Sequence, residues 1–430
     1  MSTLSRRSGL LGLAASCLAL APATTHGAGF AIFEQGARGM GFAGAFTAQA
    51  NDPSAIFHNA AGIAFLKGKQ IYLGGTVIAP KSDFTGADPF PGAVTEKGNA
   101  SLLVPPAFDY TQQISERMVV GLGLHVPFGL QTEWKDAATY SGRFISKRAE
   151  LKSFSVNPTV AYKLADRLAI GGGVDIRFSS VSLERNLAAI NPFTFKAVDV
   201  ASVDLVSRTK TGIGFNVGLL AKPNDALSIG VSYRHKVKTN YSGEATFTRL
   251  STGNGQLDAL VAQRVPLGAI PVSTSIEVPA IFSGGVAYRW NDWMAEGDVN
   301  WYQWSTFGSL PLTIEGRSDL SGEILENYEN TLQYRFGLER RLTEAWTARG
   351  GYFYDPSPAP AESVGPLLPD ADRNGACVGF TWKRGQFHVD VANWYLFFKK
   401  RSTEGVNSDN YNGTYKNRAE LFAVSIGYGF

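Results

Sequence analysis

Large and small residues alternate with a period of two along much of the chain. Between residues 421 and 430 every second residue is large and apolar, namely Phe422, Val424, Ile426, Tyr428 and Phe430. Residues 170–178, 212–219 and 227–233 repeat the pattern, with small or polar residues in between. Because successive side chains of a β-strand point to opposite faces, this period predicts strands with one large apolar face and one small or polar face.

The length of these runs separates two all-β classes. Soluble strands usually stop near about five or six residues, whereas the runs here extend to about ten, the length of a tilted strand that crosses a bilayer. In a membrane barrel the large face meets lipid and the small face lines the lumen. A helical membrane protein is excluded, because no apolar stretch after residue 27 approaches the roughly 18 residues that a transmembrane helix needs.

The alternating runs predict fourteen strands. They lie at residues 69–80, 100–112, 117–130, 150–164, 167–183, 206–222, 226–242, 272–289, 292–307, 328–340, 345–356, 374–383, 386–400 and 417–430. Six short turns alternate with seven long loops between them, which is typical of an outer-membrane barrel with both termini in the periplasm. We therefore predict an all-β fold, a 14-stranded antiparallel transmembrane β-barrel over residues 69–430.

The N-terminus carries the features of a secretory signal peptide at residues 1–27. Arg6 and Arg7 precede a short apolar stretch, and small residues lead to a cleavage site before Ala28. The alternative is a lipoprotein signal that uses Cys17, but Ala14 stands where such a signal prefers Leu. Ordinary cleavage is favoured, and with the barrel pattern it predicts the outer membrane of a Gram-negative cell.

The segment between the signal and the first strand, residues 28–68, lacks strand alternation. It is rich in Gly and Ala, and it also contains large apolar residues such as Phe30, Phe33, Phe42, Phe46 and Phe57. A disordered periplasmic tail is the alternative, but disordered segments are poor in such residues. We predict that the segment folds as a hatch, a plug inside the barrel lumen.

Charge and candidate chemistry narrow the function classes. Removing the two signal-peptide arginines leaves 38 basic and 37 acidic residues, a balance of +1, and nothing in it predicts nucleic acid as a partner. Cys377 is the one cysteine left after cleavage, so an intramolecular disulfide is impossible. The five histidines form no metal-binding pattern and no nucleophile elbow occurs, so we expect neither an enzyme nor a cofactor.

Two hatch motifs carry a resemblance to a known family. They are Gly36-Ala37-Arg38-Gly39-Met40-Gly41 and the run from Asn51-Asp52-Pro53 to Asn59-Ala60-Ala61-Gly62. The hatch resembles that of the OMPP1/FadL/TodX family, outer-membrane transporters of long-chain fatty acids and aromatic hydrocarbons, although Ala60 replaces the Pro of the family's Asn-Pro-Ala-Gly motif. The resemblance continues over the mature chain, for example at Val278-Pro279 and residues 301–305 and 355–360.

The resemblance implies a transport route for small hydrophobic molecules by passive diffusion. Substrate is captured at the extracellular loops, the hatch moves, and the substrate leaves sideways through a gap at the third strand. Here that gap falls on Val126, Pro127, Phe128, Gly129 and Leu130. Pro127 has no N–H for the ladder and Gly129 adds no packing, which favours a local break. The alternative is that Pro127 only marks the outer end of the strand.

The resemblance also points to residues that would contact a ligand. Arg185 falls where fatty-acid members carry an arginine for the carboxylate. The alternative is an ordinary arginine at the base of a loop, paired with Glu184 or another acid. Glu326 stands where those members carry a lysine, which favours a neutral hydrocarbon. The apolar loop with Phe193 and Phe195 is a candidate capture surface, and the alternative is that these residues pack as a cap over the loops. Five aromatics are predicted to lie in the membrane-interface girdle: Trp290, Trp293, Trp301, Tyr302 and Trp304.

The C-terminus and the barrel pattern also indicate the partners of the protein and the alternative functions. The C-terminal Phe430, with Tyr428 and Ile426 on its face, resembles the signature by which the barrel-assembly machinery recognises its clients. We expect a monomer that contacts outer-membrane lipid and lipopolysaccharide. A general water-filled porin is the rival, and a barrel enzyme is a weaker one. A plugging hatch distinguishes the transporter from both, and the substrate stays open between fatty acid and hydrocarbon.

Overall fold

The computed structural model describes residues 29–100, 102–192 and 194–430. The predicted signal peptide, residues 1–27, lies outside the described residues. In the part of the chain that is described, no helix has the length and apolar character to cross a membrane.

Fourteen antiparallel strands of the described chain close into a barrel. Their bounds are β1 Lys69–Gly86, β2 Pro106–Gln113, β3 Met118–His125 and Leu130–Glu133, β4 Arg148–Ala165, β5 Leu168–Ile190, β6 Ala197–Ser207 and Lys210–Ala221, β7 Leu227–Arg234 and Val237–Arg249, β8 Gly268–Val278 and Ile281–Trp290, β9 Trp293–Tyr302, β10 Thr331–Arg341, β11 Trp346–Asp355, β12 Arg373–Arg384, β13 Phe387–Phe398 and β14 Gly413–Gly429. β1 pairs with both β2 and β14, so no edge stays open. The predicted fold class is confirmed.

Short strands and a helix decorate the outer loops. They are the strands Thr95–Lys97, Ser309–Ile314, Gly322–Leu325 and Arg401–Ser402, and the helix α3, Gly255–Arg264. At the periplasmic end, Phe430 and Lys69 exchange two backbone hydrogen bonds of 2.9 and 3.0 Å. β5 has 23 residues, more than a bilayer needs, so it continues into the extracellular space as a hairpin with β6.

The predicted aromatic girdle is partly right. Trp290, Trp293 and Trp301 lie on the outer face of the barrel, where aromatic rings favour the membrane–water interface. Tyr302 and Trp304 are a correction, since both are fully buried in the lumen. The predicted ninth strand, residues 292–307, ends at Tyr302 because the chain then turns inward through the 3-10 helix Trp304–Thr306.

The hatch consists of short helices and turns packed inside the lumen. Its elements are α1 Ala37–Gly41, α2 Ala55–His58 and the 3-10 helix Ala60–Phe65. Nearly all its apolar residues are buried against the small inward residues of the wall. At Gly337 and Gly230, for instance, a Cβ would lie 2.1 Å from the Phe42 ring and from the Thr47 oxygen respectively. The small inner face predicted by the alternation therefore provides the room for the hatch.

Candidate binding cavity and wall interruption

The ladder between β3 and β4 is interrupted at the predicted gap. β3 pairs with β4 up to His125 and again from Leu130. In between, residues 126–129 of β3 face residues 152–154 of β4, so β3 carries one extra residue. An extra residue forces the strand to bend and leaves local backbone groups without ladder partners.

The ladder between β2 and β3 ends at the same height. Its last pair is Phe108 with Leu124. Among the described residues, the next backbone bond between the two segments is donated by Asn99 N–H to the Glu133 carbonyl, at 2.7 Å. The wall is thus interrupted on the β2 side of residues 126–129 as well.

The start of the hatch supplies the missing backbone partners from inside. Ile32 N–H donates to the Pro127 carbonyl at 2.9 Å, and Gly129 N–H donates to the Phe30 carbonyl at 3.0 Å. The Gln35 amide donates to the Val126 carbonyl at 2.9 Å. Unpaired backbone groups are costly in lipid, so these hatch contacts stabilise the interruption.

An apolar cavity lies directly above this contact. Its empty space, counting the part open to solvent, is about 860 Å³. Phe30 of the hatch and Leu130 of β3 belong to its lining. The other apolar lining residues come from β4 to β8 and from the outer loops: Ala149, Leu151, Val181, Leu183, Leu205, Tyr241, Val272, Ile276, Phe307, Leu310, Leu312, Ile324, Leu367 and Leu368.

Arg185 lines a second cavity that shares part of this wall. The two cavities have Leu205, Leu312 and Ile324 in common. The Arg185 side chain forms no salt bridge and no hydrogen bond with any described residue, and its Nε is buried without a partner. Burial lowers the pKa of Arg185, against the attraction of Asp409. The predicted alternative, a pair with Glu184, does not form, because Glu184 pairs with Lys147.

Glu326 is buried close to the same wall, two residues after Ile324. It is 2 % exposed, and its Oε2 has no partner in the described part of the chain. Burial raises its pKa to about 8, with a smaller contribution from Asp409. Glu326 is therefore mostly protonated near pH 7, and at that pH it does not repel a carboxylate ligand.

The hatch motif at residues 59–62 ties the hatch to the wall near the periplasmic end. The Asn59 amide donates to the Thr47 carbonyl at 2.8 Å and to the Leu219 carbonyl of β6 at 3.2 Å, while its oxygen accepts from Ala61 N–H. Ala60 packs against Gly171 of β5, and Gly62 lies against the Ala50 carbonyl, where a Cβ would come within 2.2 Å. These contacts fix the motif against the wall, and none of its four residues lines the apolar cavity.

Two capture residues of the outer loop remain predictions. Phe193 lies outside the described residues. Phe195 is 82 % exposed at the tip of the β5–β6 hairpin, and it lines neither cavity. In the described chain, no group of three or more His, Cys, Asp or Glu side chains converges as a metal site.

Comparison with known proteins decides the family. Residues 18–430 match the family model described as outer membrane protein transport protein (OMPP1/FadL/TodX). The chain belongs to this family. The barrel and the family together place this OMPP1/FadL/TodX protein in the outer membrane of a Gram-negative cell.

Relatives and solved structures cover almost the whole chain. The long-chain fatty acid transport protein of Escherichia coli O6:H1 is 24 % identical, over 97 % of each chain. The 47 kDa outer membrane protein of Pasteurella multocida is 27 % identical, over 97 % of this chain and 98 % of its own. A FadL homologue of Pseudomonas aeruginosa superposes with a TM-score of 0.82 at 23 % identity, covering 94 % and 100 %. The toluene transporter TbuX of Ralstonia pickettii gives 0.70 at 18 %, covering 93 % and 100 %.

Several hatch contacts in this OMPP1/FadL/TodX protein were missed by sequence reasoning. Glu296 and Asp298 of β9 each accept two backbone N–H groups from residues 46–49, at 2.7–3.0 Å. Asp370 accepts from Gly29 N–H at 3.1 Å, and burial raises its pKa to about 6. The sequence shows two acidic residues, Glu296 and Asp298, at alternate positions on the inward face of a strand. This pattern does not predict which groups they bind.

Proposed function

We propose that this protein carries small hydrophobic molecules passively across the outer membrane, without a catalytic step. The ligand enters from the extracellular loops, occupies the apolar cavity, displaces the start of the hatch and leaves sideways through the interrupted wall at residues 126–129 of β3. The names of the relatives support this proposal, since they include transporters of long-chain fatty acids and of toluene.

One observation carries the proposed mechanism, namely the two roles of Phe30. Its side chain lines the cavity, and its carbonyl accepts the Gly129 N–H at the interrupted wall. Its ring also packs edge-to-face on Phe128, with centroids 6.1 Å apart. A ligand that pushes Phe30 aside therefore removes the backbone partner of the interruption as well, so binding and opening are coupled.

Sideways exit suits a hydrophobic ligand. Passing through a wet lumen would rehydrate its apolar surface at about 25 cal/mol for each Å². A route from the cavity to lipid keeps the ligand in an apolar medium. Once the hatch has moved, the unpaired polar backbone of residues 126–129 is the polar group that the ligand has to pass on this route.

Uptake and conductance together test the proposal. A strain lacking the protein should take up radiolabelled oleate or toluene more slowly than the same strain with the protein restored. The purified protein in a planar bilayer should show near-zero ion conductance, because the hatch fills the lumen. Large, steady conductance with no effect on hydrophobic uptake would establish the rival general porin.

Replacing Arg185 should affect anionic ligands alone. Arg185→Ala is expected to weaken binding of a long-chain carboxylate by about 1.5–3 kcal/mol, the scale of a hydrogen bond to a charged group. Binding of a neutral aromatic should change little. Fluorescence displacement on purified protein measures both ligands, and Arg264→Ala, an exposed arginine outside both cavity linings, is the matched control. Equal losses for both ligand classes would mean that Arg185 maintains loop structure.

The buried Glu326 predicts a pH dependence of carboxylate binding. Because its pKa is about 8, Glu326 is mainly neutral at pH 7 and mainly charged at pH 9. Binding of a carboxylate ligand that stays ionised over this range should weaken severalfold between these values, since Glu326, two residues from the lining residue Ile324, then carries a buried negative charge near the ligand. Glu326→Gln should bind equally at both pH values. A wild-type profile that is flat would contradict the prediction.

A further inference from the structure

Three neighbouring strands invert their inside–outside pattern at one height. β6 is interrupted between Ser207 and Lys210, β7 between Arg234 and Val237, and β8 between Val278 and Ile281. In β7 the odd-numbered residues Ile229, Val231 and Tyr233 face outward below the interruption. Above it the even-numbered residues are the exposed ones, so the two segments present opposite sets of side chains.

The inversion decides where the cations of β7 point. An uninterrupted strand would turn Val237 and Tyr241 to the outside and Lys236 and Lys238 into the lumen. In the structure Val237 and Tyr241 are buried, and Tyr241 lines the apolar cavity. Lys236 and Lys238 are exposed on the outer surface.

An aromatic belt lies immediately below this level. The Phe215 ring stacks on His235 at 4.7 Å, Tyr233 contacts Phe282 at 4.5 Å, and Phe282 stacks on Trp301 at 5.4 Å, all between ring centroids. Exposed aromatic side chains of this kind gather at the membrane–water interface. The outward cations of β7 therefore stand at the surface of the outer leaflet.

Arg208, which lies in the interruption of β6, extends the charged surface. Its N–H donates to the Ser242 carbonyl at 3.0 Å, which places it beside the upper part of β7. Lys236 has one partner, Glu277, at 2.7 Å. Arg208 and Lys238 form no ion pair with any described residue. We call Arg208, Lys236 and Lys238 the outer basic patch; with Glu277 it keeps an excess of two positive charges.

Arg208 and Lys238 thus hold unneutralised charge on a face that meets lipid head groups. Cations at a membrane surface gain about 1 kcal/mol each from an anionic leaflet. A guanidinium offers a planar fork and an ammonium a compact charge, and both suit phosphate. The outer leaflet of this membrane presents phosphate on lipid A, the anchor of lipopolysaccharide.

We propose that the outer basic patch binds the lipid A phosphates of lipopolysaccharide, seating the barrel at a defined depth and orientation. This inference is independent of the proposed transport function, since the patch faces away from the cavity. The interruption of β7 then has two consequences. It turns the apolar Val237 and Tyr241 into the lumen, and it turns Lys236 and Lys238 to the outer surface, where they would bind phosphate.

The test compares two triple variants of the full mature protein in detergent. Arg208→Gln/Lys236→Gln/Lys238→Gln removes the patch. Lys81→Gln/Lys416→Gln/Arg418→Gln removes three exposed cations from β1 and β14, where Lys81 faces Arg418 and Lys416 faces Asp83. Heat-modifiable migration in gels confirms that each barrel is folded. Native mass spectrometry then counts adducts of Kdo2-lipid A, of its dephosphorylated form and of phosphatidylglycerol.

The wild type should retain Kdo2-lipid A and lose it when the lipid is dephosphorylated. The patch variant should bind it roughly 10- to 100-fold more weakly, and the β1–β14 variant should bind nearly as the wild type does. Equal losses in both variants, equal retention of phosphatidylglycerol, or retention of the dephosphorylated lipid would each overturn the proposal. The last comparison uses wild-type protein, so it holds even if the patch variant fails to fold.

Discussion

Deletion of Pro127 should abolish uptake of hydrophobic substrates while their binding to purified protein stays near normal. β3 has one residue more than β4 between His125 and Leu130. Removing one residue restores the register, so that alternate side chains again point inward up to Leu130. The backbone groups of the segment then pair with β4, which closes the wall on that side and with it the proposed exit. Uptake of labelled substrate by cells and ligand binding in detergent measure the two effects separately.

Pro127→Ala is the matched control, because it restores a backbone N–H but keeps the extra residue. It should retain the interruption and most of the uptake. Gly129→Trp is a less informative variant, since a Cβ there would lie 2.9 Å from the Ile32 side chain and would also disturb the hatch. If uptake survives deletion of Pro127 in a folded barrel, the substrate leaves by another route.

Replacing both Glu296 and Asp298 with Ala should turn the closed barrel into an ion-conducting pore. Their carboxylates accept four backbone N–H groups from residues 46–49 of the hatch. A buried donor left without an acceptor costs about 1–3 kcal/mol, so four of them should loosen this part of the hatch. Conductance in planar bilayers should rise from near zero, and cells should become sensitive to large polar antibiotics.

Asp225→Ala/Asp292→Ala provides the control with the same loss of charge. Both residues lie on periplasmic turns, where Asp225 pairs with Arg167 and Asp292 pairs with Arg341. This variant should stay closed. An unchanged conductance in the Glu296/Asp298 variant would show that the remaining contacts, such as the Trp394 donation to the Met40 carbonyl, hold the hatch by themselves.

The alternation of large and small residues was sufficient to predict the barrel and its strand number. Strand alternation is a local property, since it depends on which face each side chain of one strand takes. The hatch was also predictable, because a segment rich in Phe and Gly without alternation has no place in the wall. The strand ends were less predictable: Trp304 looked like a girdle residue at a strand end, yet it is buried where the chain turns inward.

The interruptions were decided by tertiary structure. Residues 226–242 read as one strand. Nothing in their alternation shows that Lys236 and Lys238 face outward while Val237 and Tyr241 are buried, with Tyr241 in the cavity lining. The inversion depends on ladders with both neighbouring strands and on burial in the lumen, which are contacts between residues distant in sequence. The same holds for Arg185, whose lack of a partner depends on which loops surround it.

The sequence by itself therefore determined the class of protein, the number of strands and the presence of a hatch. For the break near Pro127 it offered, with the family resemblance, two alternatives: a gap in the wall or the outer end of the strand. Only the tertiary structure decided that Phe30 joins the cavity to that break and that Glu296 and Asp298 hold the hatch. The physical reason is the sequence distance over which each feature is determined. Periodicity depends on neighbouring residues, whereas the partners of buried backbone and charged groups depend on the register of strands across the closed barrel.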